Sequence, residues 1–165
     1  MASLIHLDQR QRGFRLTDGC SNNVFLLDLT LRHHHRHHKP LFMTSLDIAK
    51  AFDSVSHNTI REMKGLPGPM TSYIMDVYQR STTTLCCDSW TSRRIRPACG
   101  VKQGDPMSPM IFNMIMDRMH KKLPNDIGAK IDGLSINAAA FADNLLLCAS
   151  TPIGLQKLLS WRPII

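Results

Sequence analysis

The chain has 165 residues, 43% of them hydrophobic, and sets 20 Lys and Arg against 13 Asp and Glu for a formal net charge of +7. That length accommodates one ordinary domain with a real core. The charge points to a polyanionic partner, with a merely soluble basic protein as the plain alternative, and the basic residues concentrate at 10–15, 32–39 and 93–96. Five cysteines (Cys20, Cys86, Cys87, Cys99, Cys148) include no Cys-x-x-Cys pair. They suit free thiols in a reducing compartment and argue against a zinc knuckle. No stretch is apolar and long enough to span a bilayer, and the first residues lack a cationic-then-apolar signal, so an intracellular protein with no membrane partner is expected.

In chain order, Gln11-Arg12-Gly13-Phe14-Arg15 opens a polar, turn-rich segment. Asp18, Ser21 and Asn22 are candidate N-caps for a helix over 24–37, with Val24, Phe25, Leu27 and Leu31 as its buried stripe. That helix ends in His33-His34-His35-Arg36-His37-His38-Lys39, where cations suit the helix dipole. Metal binding through the i, i+4 pairs His33/His37 and His34/His38 is the competing reading. After Pro40, residues 41–46 read as a strand. Residues 50–63 read as helix, Gly65-Leu66-Pro67-Gly68-Pro69 as a break, and 70–80 as another helix. Residues 82–87 and 93–98 form a hairpin turning at Asp88-Ser89-Trp90. The strongest amphipathic helix covers 109–123, with Met110, Ile111, Met114, Ile115 and Met119 at helical spacing as core filling. Residues 136–141 and 145–149 form a second hairpin turning at Asp143-Asn144. The mixture indicates helices packed on an antiparallel sheet, an α+β fold.

Three segments stand out chemically. Leu46-Asp47-Ile48-Ala49-Lys50-Ala51-Phe52-Asp53 and Ala140-Phe141-Ala142-Asp143-Asn144 each place an aspartate at the end of an apolar, strand-like run. Singly they have plain structural readings: Asp47 caps the following helix, and Asp143-Asn144 makes an ordinary hairpin turn. Between them lies Gly100-Val101-Lys102-Gln103-Gly104-Asp105-Pro106-Met107-Ser108-Pro109, followed by a helix bearing Phe112-Asn113. A glycine-rich loop before a helix would not demand Gln103, Ser108 and Pro109 together. In this order the three segments resemble motifs A, B and C of reverse transcriptases. The likeness is nearest to those of non-LTR (LINE-type) retrotransposons, including elements that insert at a fixed site in ribosomal RNA genes. Gln11-Arg12-Gly13-Phe14-Arg15 is similar to a fingers motif of that family, and Asp53-Ser54-Val55-Ser56-His57 continues motif A as its members do. The resemblance covers roughly 9–159.

The resemblance implies a reverse-transcriptase palm with part of the fingers and no thumb. Residues 1–40 would be a partial fingers segment. Residues 41–150 would form the palm, with motifs A, B and C and a helical insertion, and 151–165 a truncated tail. It implies RNA-directed DNA polymerisation with an RNA template, a DNA primer or target and deoxynucleoside triphosphates, in the nucleus. Nucleotidyl transfer of this kind uses two magnesium ions about 3.5–4 Å apart, with manganese a possible substitute. Carried over by position, Asp47, Asp143 and Asn144 would be catalytic, and Asp47, Asp143 and the Ile48 carbonyl would hold metal. Ile48, Phe52, Gln103 and Gly104 would meet the nucleotide, with Phe52 under the sugar, where it excludes a ribose 2′-hydroxyl. Lys102, Arg12 and Arg15 would contact nucleic acid.

Asn144 departs from the family, which carries Asp-Asp in motif C. Its oxygen can coordinate but brings no charge, and one unit pair at about 4 Å and an effective dielectric near 20 is worth about 4 kcal/mol. Even a fraction of that lowers a rate more than tenfold. Strongly reduced polymerase activity is therefore expected, from this residue and from the absence of the family's flanking fingers strands and thumb. The alternative is a non-catalytic, nucleic-acid-binding remnant of the domain. A third reading is a metal-binding accessory protein using the histidine run.

Overall fold

A computed structural model describes residues 7–15 and 19–160. The chain divides into two compact units. Among the described residues, one is built from 50–115 and the other from 7–49 together with 116–160.

The second unit contains the main sheet. Strand β1 (Phe42–Asp47) pairs antiparallel with β7 (Asn144–Ala149), and β7 pairs antiparallel with β6 (Ala138–Phe141). The register runs from Phe42 opposite Ala149 to Asp47 opposite Asn144. One face of this sheet buries Ala138, Ala140, Leu145, Leu147 and Ala149 with Leu123 and with Leu158 of helix α5 (Pro152–Leu159). Small alanines on β6 let leucines from β7 and α5 close over them. Helix α5 starts cleanly because the Thr151 hydroxyl accepts a hydrogen bond from the Gly154 amide and Pro152 occupies the first turn. A small hairpin joins strands β4 (Ala129–Ile131) and β5 (Leu134–Ile136) through Asp132-Gly133, both with positive φ.

Helix α1 (Gly19–Arg36) packs on β6 and β4 with a face other than the expected one. Val24 and Phe25 are 60% and 67% exposed, and Leu31 also faces out, while Thr30 and His34 are buried. Periodicity identifies residues that share a face but not which face meets the sheet. Here the inner side is polar and in part paired within the helix: Thr30 Oγ1 donates to the Leu26 carbonyl, and His34 Nδ1 bonds the Thr30 carbonyl. Asn23 also donates to the carbonyl of Ala140. Ser21 and Asn22 lie inside the helix, and Asp18 falls outside the described residues.

In the first unit, the helix expected over 50–63 is reduced to turns and one short helix, α2 (His57–Arg61). Lys50 takes a left-handed conformation, and Ser56 caps α2 through its side chain. Short polar side chains compete with the helical ladder here. Helix α3 (Gly68–Arg80) packs on α2, burying Ile74, Met75 and Tyr78. The 82–98 hairpin is present with short strands, β2 (Cys86–Cys87) and β3 (Trp90–Thr91), plus a bridge between Thr83 and Ile95. Trp90, expected in the turn, belongs to β3, and the turn is Asp88-Ser89. Helix α4 (Ser108–His120) buries Ile111, Met114, Ile115 and Met119 as its periodicity predicts, and also Phe112, Asn113 and Met116. The division between the units falls within this helix.

Candidate nucleotidyl-transfer site

The β6–β7 hairpin turns on two residues, Ala142 and Asp143, between the paired Phe141 and Asn144. Asn144, expected in the turn, is thus the first residue of β7 and stands in register with Asp47 at the end of β1. Adjacent antiparallel strands therefore bring the motif A aspartate beside the motif C pair. Asp47 and Asn144 are exposed and Asp143 is half-buried, so both carboxylates reach solvent. The Asn144 amide nitrogen lies 3.4 Å from Asp143 Oδ1 as donor. Ile48, immediately after β1, is half-buried.

This turn is held from beneath. Gln11 is fully buried, and its Nε2 donates to the Ala142 carbonyl at 3.0 Å. Its Oε1 accepts from the Ala142 amide at 3.0 Å and the Gly13 amide at 2.9 Å. A Cβ on Gly13 would stand 2.2 Å from the Ala142 nitrogen, so only glycine permits this approach. The sequence marks Gln11 as part of a motif but gives no sign of this contact, because its partner lies 131 residues away. Of the two arginines beside it, Arg15 donates Nη1 to the carbonyls of Gln11 and Asp8. Arg12 is half-buried and forms no ion pair among the described residues.

The first unit carries the other expected residues. Phe52 stacks on Phe112, ring centroids 5.0 Å apart and planes 13° from parallel. Gln103 Nε2 donates to Asp53 Oδ1 at 3.3 Å, tying the motif B loop to the end of motif A. Two further ties were not foreseen: His57 Nε2 bonds the Gly100 carbonyl at 3.0 Å, and Tyr78 Oη lies 3.3 Å from Ser108 Oγ. Gly100 and Gly104 both have positive φ, which shapes the loop between them. Lys102, Gln103 and Gly104 are exposed. A cavity of about 280 Å³ is lined by Asp53, His57, Tyr78, Cys99, Lys102 and Gln103, among others.

Among the described residues no group of three His, Cys, Asp or Glu side chains is arranged to hold a metal. At the β1–β7 end the side chains are two carboxylates, Asp47 and Asp143, and the amide of Asn144. In the histidine run, the rings of His33 and His37 lie 4.6 Å apart with no such third group, and His34 is buried within α1.

The model of the family described as reverse transcriptase (RNA-dependent DNA polymerase) matches residues 2–161. The chain belongs to the reverse transcriptase family. Relatives that it matches include Pol polyproteins of R2 retrotransposable elements. It is 48% identical over 160 residues to the retrovirus-related Pol polyprotein from type-2 retrotransposable element R2DM of Drosophila melanogaster, covering 95% of this chain and 15% of that protein. It is 44% identical over 157 residues to the Pol polyprotein from a type-1 retrotransposable element R2 of Nasonia vitripennis, covering 93% and 15%. The chain thus spans about 15% of the length of these two relatives. In structure it is similar to apo telomerase from Candida tropicalis truncated from the C-terminal domain, with a TM-score of 0.61 over 90% of this chain and 32% of that one. At 13% identity, that likeness is one of fold. The α+β architecture with antiparallel sheets is the one the sequence implies. No helix among the described residues is long and apolar enough to cross a membrane.

Proposed function

We propose that this chain carries the nucleotidyl-transfer chemistry of RNA-directed DNA synthesis in an R2-type element, with Asn144 limiting its rate. The observation that supports this most is the register of Asp47 with Asn144, which sets two carboxylates and a carboxamide at one end of β1 and β7. Magnesium binds through one or two carboxylates completed by substrate phosphates, so the donor set of Asp47, Asp143 and the Ile48 carbonyl fits it, with manganese as a substitute. Bound there, the two ions supply the charge that steadies a transferring phosphate.

The chain's own residues supply positioning. The Phe52 ring is backed by Phe112, so a bulky edge stays where a ribose 2′-hydroxyl would come, favouring deoxynucleotides. Asp53 holds the Gln103 amide, which orients the loop that would meet the incoming nucleotide through Gln103 and Gly104. Lys102, Arg12 and Arg15 offer positive charge to phosphates. The template would be RNA, the primer a nicked chromosomal DNA end, and the setting the nucleus.

The uncharged Asn144 side chain, bonded to Asp143, favours a second reading, a domain that binds nucleic acid without catalysis. Magnesium-dependent primer extension on an RNA template separates the two when Asn144→Asp is compared with the same variant carrying Asp47→Asn. The polymerase reading expects extension by the first and a loss of at least about a hundredfold in the second. Equal extension by both would remove Asp47 from the chemistry.

A further inference from the structure

We propose that Gln11 is a positioning residue that sets the geometry of the turn bearing Asp143. Gln11 meets β6 through an isolated parallel bridge to Ala140: the Arg12 amide donates to the Ala140 carbonyl at 3.0 Å, and the Ala140 amide donates to the Arg10 carbonyl at 2.8 Å. Two residues further on, β6 turns away and backbone pairing ends. The Gln11 side chain continues it. Its carboxamide offers one donor and one acceptor to the two backbone groups of Ala142, as a peptide group would, and takes the Gly13 amide as well.

Three observations make this a clamp and not simple core filling. Gln11 has no exposed surface, so each of its polar atoms depends on these partners. Ala142 has φ +56°, a left-handed conformation that an alanine rarely adopts, and it lies immediately before Asp143. Gly13 brings the clamp within reach, since any Cβ there would collide with the Ala142 nitrogen. Only an amide side chain supplies donor and acceptor together at that spacing; methionine matches its length and supplies neither. The link from turn to metal rests on the proposed role of Asp143.

The test uses the whole chain, with manganese as the probe. Manganese affinity is measured for the unaltered chain, Gln11→Met, Gln11→Met with Ala142→Gly, and Asp143→Asn, alongside hydrogen exchange at the residue 142 amide. Gln11→Met is expected to weaken manganese binding about tenfold, the scale of losing a partner that orients a ligand. Exchange at Ala142 should quicken. Ala142→Gly, which adopts positive φ freely, should restore most of the affinity. A merely space-filling Gln11 would show no such rescue, so failure of the glycine to restore binding in a folded double variant overturns the proposal. Unchanged affinity in Gln11→Met overturns it as well. If Asp143→Asn itself leaves manganese binding intact, the metal role of Asp143 fails instead. The clamp is then judged on exchange alone: faster exchange in Gln11→Met supports it and unchanged exchange overturns it.

Discussion

Gly13 and Phe52 show how much of this site is decided by single side chains. Gly13→Ala would push a methyl group to 2.2 Å from the Ala142 nitrogen, a backbone atom that cannot swing aside. Overpacking of this kind costs about 1–3 kcal/mol, and chemical denaturation is expected to show a loss at least that large. Phe52 is fixed by its stack on Phe112, and its proposed duty is to exclude the 2′-hydroxyl. In an Asn144→Asp background, Phe52→Ala is therefore expected to raise ribonucleotide incorporation relative to deoxynucleotide incorporation, read by primer extension with each nucleotide class. An unchanged ratio would return Phe52 to the core alone. At this scale the sequence was legible where a motif placed residues close along the chain, as with Asp143 in its turn, although Asn144 falls one place further on, in β7. It was mute on Gln11 and His57, whose partners, Ala142 and Gly100, lie far away in sequence.

Among the elements, those with the strongest periodicity were the ones the sequence revealed. Helix α4 buries the predicted Ile111, Met114, Ile115 and Met119, and β1 and β7 lie within a residue of their expected ends. Helix α1 was legible as a helix but not in its orientation, because its buried face carries Thr30 and His34, each bonded to a carbonyl of the helix, and leaves Val24 and Phe25 outside. The β4–β5 hairpin has its signal in Asp132-Gly133, yet strands of three residues are too short for alternation to show. Helix α5 sits in a segment read as a tail, although Thr151-Pro152 is a sound start signal. The sheet depends on the leucines of β7. Leu147 is 1% exposed at the centre of the cluster beneath the sheet, and Leu147→Ala is expected to cost about 2–5 kcal/mol in equilibrium unfolding. A change under about 1 kcal/mol would mean that this cluster is not what holds β7 in place.

For the molecule as a whole, acid should be destabilising, for reasons that trace to two groups, His120 and Asp8. Burial pushes the His120 imidazole down to about 4, against the partly opposing influence of Asp8 and Asp117. The folded chain then takes up that proton later than the unfolded chain, so stability falls as pH drops from about 6.5 to about 4, by up to about 3 kcal/mol. The Arg10 side chain, bonded to Asp8, lowers that carboxyl to about 2. Its stabilising effect, present above about 3.8, is lost as pH falls toward 2. His120→Phe is expected to flatten the upper window in pH-dependent unfolding and leave most of the lower one, which rests chiefly on Arg10; an upper slope that survives the change would place its origin elsewhere. The family and fold were legible in the sequence because motifs A, B and C keep their order, whereas the force of residue 144 depends on a charge balance that no motif states. The measurement that bears most directly on this account is magnesium-dependent primer extension on an RNA template by the chain as it stands beside Asn144→Asp. The account predicts little or no extension by the former and extension at least about tenfold greater by the latter. Equal extension by the two would contradict it.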